Sequence, residues 1–520
     1  MKDPPNTEER ASSSMASPEK KPPRNTYAFA CAILASMTSI LLGYDIGVMS
    51  GAGIYIKKDL RINNGQLEVL NGIINLYALI GAAAAGRTSD WIGRRFTMVL
   101  AGSIFLVGAL VMGFAFNYGF LMFGRFIAGI GVGYAMMIAP VYTAEVAPAS
   151  SRGFLTSFPE VFINCGVLLG YVSNYAFSKL PLRLGWRFML GIGAVPSVLL
   201  ALGVLAMPES PRWLVMQGRL GDAKRVLQKT SDTPQEAELR LSDIKEAAGI
   251  PLECNDEEVQ VTREKRHGEG VWRELLICPT PAVRHVMIAA VGIHFFQQAS
   301  GIDAVVLYSP TIFDGAGIKS SDHKLLATIA VGFFKASFIL VATFLLDRVG
   351  RRPLVLTSEA GMILSLTALG TGLTVVDHSA PNHSPMWAVV LCIASVMTFV
   401  ASFSIGMGPI AWVYSSEIFP LRLRAQGASI GVCVNRATSG LISMTFLSLS
   451  SAITTAGAFY LFASVAAVSW VFFYTMLPET QGRTLEEMEC LFGRYARWRS
   501  AARELEMKRK ADGGDINNGP

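Results

Sequence analysis

Apolar residues are gathered in long blocks along this chain, and polar stretches separate the blocks. About twelve blocks of roughly 20 residues are present, and a helix of that length crosses a bilayer core about 30 Å thick. Six blocks precede a longer polar stretch and six follow it, so the pattern predicts twelve membrane helices in two sets of six. The predicted spans are 27–50, 67–86, 96–116, 119–143, 154–177, 187–207, 283–313, 325–346, 353–376, 387–416, 427–449 and 457–477.

Three short polar motifs occur twice, once in each set of blocks. The pairs are 90–95 (DWIGRR) with 347–352 (DRVGRR), 144–148 (AEVAP) with 416–420 (SEIFP), and 208–210 (PES) with 478–480 (PET). The offset of roughly 260–270 residues is far longer than a solenoid repeat. We therefore expect an all-α membrane protein whose twelve transmembrane helices form two pseudo-symmetric six-helix bundles.

The blocks and polar stretches divide the chain into five predicted segments. Residues 26–207 and 281–478 form the two bundles, and the charged residues 208–280 form a helical linker between them. Residues 1–25 are polar and contain Pro and Ser, which predicts disorder, and residues 479–520 form a C-terminal tail. The first block is not a signal peptide, because it follows about 25 polar residues and is too long for an h-region.

Composition and charge agree with a membrane protein and set its expected orientation. Mean hydropathy is +0.41 and only 16% of residues are charged, whereas a soluble chain is about a quarter charged. Lys and Arg concentrate at one set of block ends, in the linker and near both termini, so the positive-inside rule places these parts in the cytoplasm. The net charge of +6 reflects this bias and does not indicate nucleic acid.

Neither an enzyme nor a metal site is expected. The seven cysteines are scattered, none lies in a predicted outer loop and no pair has metal-ligand spacing, so we expect no structural disulfide, metal or cofactor. No nucleophile–base pair or phosphate loop is apparent. The glycine run at 129–133 lies inside a block, where close helix packing explains it better than phosphate binding.

Ionisable residues inside the apolar blocks are costly and usually face a cavity or a partner. Six such residues are candidates for a functional role: Asp45, Arg125, Glu160, Asp303, Lys335 and Arg436. With a rise of about 1.5 Å per residue, Asp45 and Arg125 each lie roughly 30 Å from the predicted cytoplasmic side, so they can pair. Glu160, Lys335 and Asn435 lie at roughly 12 to 18 Å on three helices and can converge on one cavity. Lys335 needs an acceptor there, and Glu160 and Asp303 are the candidates.

The seventh block carries polar residues on both sides of a predicted break. Gln297 and Gln298 precede Ser300-Gly301, and Asp303 follows it. On a regular helix Gln298 and Asp303 would point about 140° apart, whereas a break lets both face one cavity. Interrupted membrane helices are where transporters place substrate groups. The alternative interpretation is interhelical hydrogen bonding by the two amides.

The motifs together resemble the sugar porter family of the major facilitator superfamily. Residues 86–95 (GRTSDWIGRR), 208–214 (PESPRWL) and 478–487 (PETQGRTLEE) carry the resemblance, which extends from about residue 26 to 490. It implies two six-helix bundles around a central cavity and alternating access. It also implies that the duplicated motifs form salt bridges between the bundles and close the cytoplasmic side. These gate residues are Arg94, Arg95, Glu145, Arg152, Glu209, Arg212, Arg351, Arg352, Glu417 and Arg424.

The resemblance also implies roles inside the membrane. In proton-coupled members an Asp in helix 1 and an Arg in helix 4 occupy the positions of Asp45 and Arg125, which implies that Asp45 takes up a proton and releases Arg125. The alternative is a static ion pair that fixes the two helices. In the family a Trp at the position of Trp412 stacks on the sugar, although an aromatic residue at helical spacing is more often packing. The expected substrate-binding residues are Glu160, Gln297, Gln298, Asp303, Lys335, Trp412 and Asn435.

Charged residues replace the amides of hexose porters in this cavity. Hexose porters have Gln at the position of Glu160, Asn at that of Asp303 and usually Asn at that of Lys335. A carboxylate only accepts hydrogen bonds and a Lys only donates them, and charged groups bind hydroxyls more strongly. A linear polyol can adapt its hydroxyls to such a frame. Residues 295–306 (FFQQASGIDAVV), 157–160 (SFPE) and 434–436 (VNR) resemble the plant polyol/monosaccharide transporter branch.

That resemblance implies a proton-coupled symporter of sugar alcohols such as sorbitol, mannitol, xylitol or inositol, and of some monosaccharides. Its partners would be the small-molecule substrate, protons and the lipid bilayer, with a monomeric functional unit. The plasma membrane is the expected location, with the vacuolar membrane as the alternative. A passive hexose or polyol facilitator stays an alternative function, as does a non-transporting sugar sensor, for which residues 479–520 make a short tail.

Overall fold

The computed structural model describes residues 25–148, 152–248, 250–251, 279–379, 385–419 and 423–481, and the single positions 259, 275, 277 and 492. Helices account for most of this part of the chain. The prediction of an all-α fold is therefore confirmed.

The helices fall into two halves with three short helices between them. The first half contains α1 (Thr26–Met37), α2 (Ile40–Asp59), α3 (Asn64–Ile92), α4 (Arg94–Gly113), α5 (Tyr118–Val146), α6 (Arg152–Thr156), α7 (Phe158–Phe177), α8 (Leu182–Gly191) and α9 (Ala194–Leu205). Helices α10 (Pro211–Met216), α11 (Leu220–Thr230) and α12 (Pro234–Ala247) follow. The second half contains α13 (Pro281–Ala299), α14 (Ile302–Gly315), α15 (Ser321–Val349), α16 (Arg351–Asp377), α17 (Met386–Ile405), α18 (Met407–Ile418), α19 (Arg424–Ile453) and α20 (Thr455–Met476).

Eleven stretches of helix in the described residues are long and apolar enough to cross a membrane. The twelfth predicted span, 283–313, is not among them, and the chain there forms α13 and α14. Large apolar side chains such as Leu364 and Leu202 are exposed on the outside of the fold, as lipid-facing residues are. The described structure thus agrees with a multi-pass membrane protein of twelve spans.

The duplicated DxxGRR motifs build the same turn in both halves. Gly93 joins α3 to α4 with φ +95° and ψ 166°, and Gly350 joins α15 to α16 with φ +96° and ψ 160°. A positive φ of this size favours Gly, which has no Cβ to clash with the backbone. The end of each half that carries these turns is called the motif face below.

Glycines bring α3 and α5 into backbone contact. A Cβ added at Gly133 would lie 2.1 Å from the carbonyl oxygen of Ala78, and one added at Gly81 would lie 2.3 Å from that of Ile130. Small residues at helix crossings replace the hydrophobic driving force that is missing in lipid. The interpretation of the glycine run at 129–133 as a packing surface is therefore confirmed.

Gly133→Ala is expected to lower the free energy of unfolding by about 1–3 kcal/mol, because the added methyl group forces α3 and α5 apart. Gly86→Ala on α3 is the matched control, since nothing lies within 4 Å of its added Cβ. That change should be neutral or stabilise by up to about 1 kcal/mol through helix propensity. Thermal unfolding in detergent measures both variants, and equal melting temperatures would contradict this account of the packing.

Polar contacts between the halves concentrate toward the face opposite the motif face. The Glu68 carboxylate on α3 accepts hydrogen bonds from Ser448 on α19, at 2.7 Å from the backbone N and 2.6 Å from Oγ. The Tyr171 hydroxyl on α7 donates to the carbonyl of Val306 on α14 at 2.8 Å. Lys179 Nζ lies 2.6 Å from an oxygen of Asp322 at the start of α15. The two halves are therefore joined on this side.

Candidate functional site

A cavity lies between the two halves. Eight helices contribute to its wall: α2 and α7 from the first half, and α13, α14, α15, α17, α18 and α19 from the second. The lining side chains are Leu42, Ile46, Glu160, Ile163, Val167, Gln297, Gln298, Ile302, Asp303, Lys335, Phe403, Trp412 and Arg436.

Six of the seven predicted substrate-binding residues line this cavity. They are Glu160, Gln297, Gln298, Asp303, Lys335 and Trp412. Asn435 lies behind the wall, where its Nδ2 donates to Gln297 Oε1 at 2.6 Å. The structure therefore brings the predicted set together, although their roles in binding stay a prediction.

The break in the seventh span is confirmed, and it explains how the cavity receives groups from both of its parts. Helix α13 ends at Ala299 and α14 begins at Ile302, with Gly301 between them at φ +85°. Gln298 and Asp303 then face the same cavity, and one end of the Gln298 amide lies 3.0 Å from Asp303 Oδ2. The Ser439 hydroxyl also donates to this carboxylate oxygen.

The Gln297 amide connects three helices around the cavity. Its Nε2 donates to the carbonyl oxygens of Met407 at 3.1 Å and Gly408 at 2.9 Å, where α18 begins. Its Oε1 accepts from Asn435 on α19. Both donors of the amide are thus engaged, and its oxygen keeps one further acceptor site. Gln297 is held in a fixed orientation, which suits a side chain that positions a ligand.

Two carboxylates and two cations surround the cavity, so its formal charges balance. They are Glu160, Asp303, Lys335 and Arg436. The acids and Arg436 are the charged neighbours of Lys335, yet none of the described ion pairs involves Lys335. The expectation that Lys335 pairs directly with an acid is therefore corrected: the charges face one another around the cavity. Its Nζ instead lies 6.0 Å from the centre of the Phe403 ring.

Trp412 forms one wall of the cavity and is oriented by a histidine. The His294 ring packs edge-on against its indole, with 5.2 Å between ring centres. His294 Nε2 in turn lies 2.9 Å from Ser415 Oγ. Sequence reasoning missed His294, although its position one helical turn before Gln297 and Gln298 placed it on the same side of α13.

Asp45 and Arg125 form a buried ion pair in the first half, as predicted, in which one guanidinium nitrogen contacts both carboxylate oxygens. Arg125 Nη1 lies 2.6 Å from Asp45 Oδ1 and 2.7 Å from Oδ2, and the two side chains are 0% and 2% exposed. Arg125 also donates to the carbonyls of Leu70 and Asn71 on α3. Protonating Asp45 would leave a buried cation without its counter-charge, which costs several kcal/mol and favours rearrangement.

Helix α2 connects this ion pair to the cavity. Leu42 and Ile46 line the cavity from the same helix that carries Asp45. A shift of α2 that follows protonation of Asp45 would therefore move the cavity wall. Neither apolar residue gave a signal in the sequence, because both look like ordinary residues of an apolar block.

The duplicated Arg and Glu residues pair within each half. Arg94 Nε lies 3.1 Å from Glu145 Oε2, and Arg351 Nη2 lies 2.9 Å from Glu417 Oε1. The bridges between bundles that the resemblance implies are not among the described contacts. Spacing along the chain shows which residues repeat but not which bundle supplies each partner.

A second pair of carboxylates caps helices on the motif face. Glu209 accepts from the backbone N–H groups of Arg94 and Arg95 at the start of α4. Glu479 does the same for Arg351 and Arg352 at the start of α16. Burial raises the pKa of the Glu209 carboxyl, and these N–H donors oppose that shift by stabilising its charged form.

The remaining predicted gate residues add no described contact. Arg212 is exposed on α10. The side chains of Arg152 and Arg424 lie outside the described part of the chain. In the described residues, no group of His, Cys, Asp and Glu side chains is arranged to hold a metal ion.

The two similar halves, the membrane-spanning helices and the cavity lined by charged and amide side chains define a membrane transporter. Residues 31–492 match the protein family described as "Sugar (and other) transporter". The chain belongs to this sugar transporter family.

Relatives and solved structures agree with this membership. Polyol transporter 5 of Arabidopsis thaliana is 74% identical over 484 residues, which cover 93% of this chain and 89% of the relative. Glucose transporter GlcP of Staphylococcus epidermidis is 33% identical, with 88% of this chain and 95% of the relative covered. The proton:xylose symporter XylE bound to 6-bromo-6-deoxy-D-glucose has a TM-score of 0.73 and 27% identity, covering 90% of this chain and 100% of that chain. The major facilitator fold and the resemblance to the polyol transporter branch are confirmed.

Proposed function

We propose that this protein is a proton-coupled symporter of sugar alcohols, and of some monosaccharides, that works by alternating access. The observation that carries the proposal is the charge-balanced cavity beside a buried Asp–Arg pair on one of its lining helices. The printed names of two similar proteins, a polyol transporter and a proton:xylose symporter, support both parts of it.

The substrate class follows from the donors and acceptors around the cavity. Glu160 and Asp303 supply acceptors, whereas Lys335 and Arg436 supply donors. Each hydroxyl of a polyol both donates and accepts, so a linear polyol can bridge the acids and the cations at the same time. Because Lys335 has no described ion pair, its ammonium is available to a substrate oxygen. Trp412 and Phe403 offer apolar surfaces to the carbon chain.

Proton coupling follows from the Asp45–Arg125 pair. A proton taken up by Asp45 removes the counter-charge of Arg125, and the closed arrangement of α2, α3 and α5 is destabilised. Substrate and proton then cross together when the halves rock about the cavity. Release of the proton on the other side restores the ion pair and resets the transporter.

The orientation and location are part of the same proposal. The motif face, the linker of residues 208–280 and both termini lie in the cytoplasm of a plasma-membrane protein, because Lys and Arg concentrate there. Bundles of residues 26–207 and 281–478 move as the two rocking units of a monomer. The motif residues act as the cytoplasmic gate by holding the helix starts within each bundle.

Uptake of labelled sorbitol, mannitol, xylitol, inositol and glucose in a transport-deficient host tests the substrate class. We expect uptake of at least one polyol and weaker uptake of glucose, and each transported polyol should compete with the others. Uptake of glucose alone would contradict the proposal, because a ring sugar would then be the preferred ligand of the charged cavity.

A further inference from the structure

One seam between α3 and α19 joins the two halves from the face opposite the motif face down to the cavity. On α3 it consists of Glu68, Gly72 and Asn75, which lie on one side of the helix at i, i+4 and i+7. Glu68 binds Ser448 at its outer end. A Cβ at Gly72 would lie 2.3 Å from Met444 Cγ, so the two helices are in close contact at its centre.

Arg436 forms the inner end of this seam and also lines the cavity. Its Nη1 donates to Asn75 Oδ1 across the two halves at 3.4 Å. Its Nε and Nη2 donate to Asn435 Oδ1 at 3.0 and 2.5 Å. Since Asn435 is itself bonded to Gln297, the guanidinium plane is fixed relative to the predicted binding residues. Within the described contacts, Arg436 is the charged side chain that belongs to both the cavity and the seam.

The guanidinium keeps a donor for a ligand. An Arg side chain has five N–H groups in a rigid fork, and the contacts with Asn435 and Asn75 use one each on Nε, Nη1 and Nη2. Nη2 also lies 3.3 Å from the Gln298 amide oxygen, so the N–H that remains for a ligand is the second one on Nη1. Asp303 and Glu160 are its charged neighbours, but the described ion pairs do not include Arg436. A hydroxyl oxygen in the cavity would complete its hydrogen bonding.

We propose that Arg436 is a specificity-determining residue that donates to a hydroxyl of the bound polyol and, through Asn75, ties the occupied cavity to the α3–α19 seam. This inference rests on the proposed transport of polyols. A bound hydroxyl holds the Arg436 guanidinium in the orientation in which it also donates to Asn75. The contact between α3 and α19 is therefore kept while substrate is bound. A Lys at this position has no fork and cannot hold Asn435, Asn75 and the substrate together.

Uptake kinetics of labelled sorbitol test the proposal with Arg436→Lys, Arg436→Gln and Asn75→Ala. Both Arg436 variants should raise KM about tenfold or more, the loss expected for a hydrogen bond from a charged donor. Asn75→Ala should raise KM about threefold to tenfold. Ser448→Ala is the matched control, since it removes a hydrogen bond of the same seam at a distance from the cavity, and its KM should stay within about twofold of wild type.

Two results would overturn the proposal. One is a wild-type KM in Arg436→Lys, which would show that Arg436 acts on KM through its positive charge and not through its fork of N–H groups. The other is an equal KM change in Asn75→Ala and Ser448→Ala, which would make the seam merely structural. If both Arg436 variants fail to fold, the comparison of Asn75→Ala with Ser448→Ala decides. Absence of polyol uptake by the wild type would instead contradict the proposed function, so the two failures are distinguishable.

Discussion

Replacing Asp45 with Asn is expected to abolish accumulation of polyol against its gradient while exchange of polyol across the membrane continues. Asn resembles the protonated carboxyl, so Arg125 permanently lacks the counter-charge that lies 2.6 Å away in the wild type. In the wild type the empty carrier returns with the ion pair formed; because an unpaired buried charge costs roughly 3–5 kcal/mol, this return should slow at least about a hundredfold in the variant. Exchange does not need that step, since the carrier stays in its protonated form throughout.

Accumulation and exchange are measured on the same variant with labelled polyol, and retained exchange shows that the protein is folded. Asp314→Asn is the matched control, because it removes a carboxylate from an exposed pair with Lys324 at 2.9 Å. An exposed pair contributes at most about 1 kcal/mol, so transport should be unchanged. If Asp45→Asn still accumulated polyol in a protonophore-sensitive manner, the coupling role of Asp45 would be wrong.

Lys335→Met and Glu160→Gln are expected to reduce the preference for polyol over glucose by about tenfold to a hundredfold each. Each change removes a charged partner for a hydroxyl, and a hydrogen bond to a charged group contributes about 1.5–3 kcal/mol. Each also leaves the cavity with an unbalanced charge. The ratio of kcat/KM for sorbitol and glucose measures the effect in a transport-deficient host.

The double variant separates selectivity from folding. Lys335→Met combined with Glu160→Gln restores the charge balance of the cavity, so expression should recover while polyol preference stays low. Lys324→Met is the control for loss of a lysine, because its ammonium pairs with Asp314 away from the cavity. Wild-type selectivity in both single variants would show that the charged frame does not select the substrate.

Part of the site was predictable from the sequence, because counting residues along a helix gives the depth of a side chain in the membrane. Asp45 and Arg125 are 80 positions apart, yet counting residues from the predicted membrane surface placed both at one level, where they form an ion pair. The break between Gln298 and Asp303 was predictable because Gly301 offered the chain a positive φ. Local chemistry and a constant helical rise suffice for such features.

Relations between the halves were not predictable in the same way. Asn75 and Arg436 are 361 positions apart, and their contact depends on how closely α3 and α19 approach. The partners of Arg94 and Arg351 depend on which bundle supplies the nearest carboxylate, and each half supplies its own. Lys335 has no ion pair among the described contacts although it lines the same cavity as the two acids, and residue spacing does not predict the shape of a cavity.

Sorbitol accumulation in proteoliposomes tests the central claim most directly. Purified protein would be reconstituted with an inwardly directed proton gradient, and labelled sorbitol inside the vesicles would be followed with and without a protonophore. The proposed symport through the charged cavity predicts accumulation above the external concentration, which the protonophore collapses to equilibration. Equilibration to the same level with and without the gradient would contradict proton coupling and identify a passive facilitator.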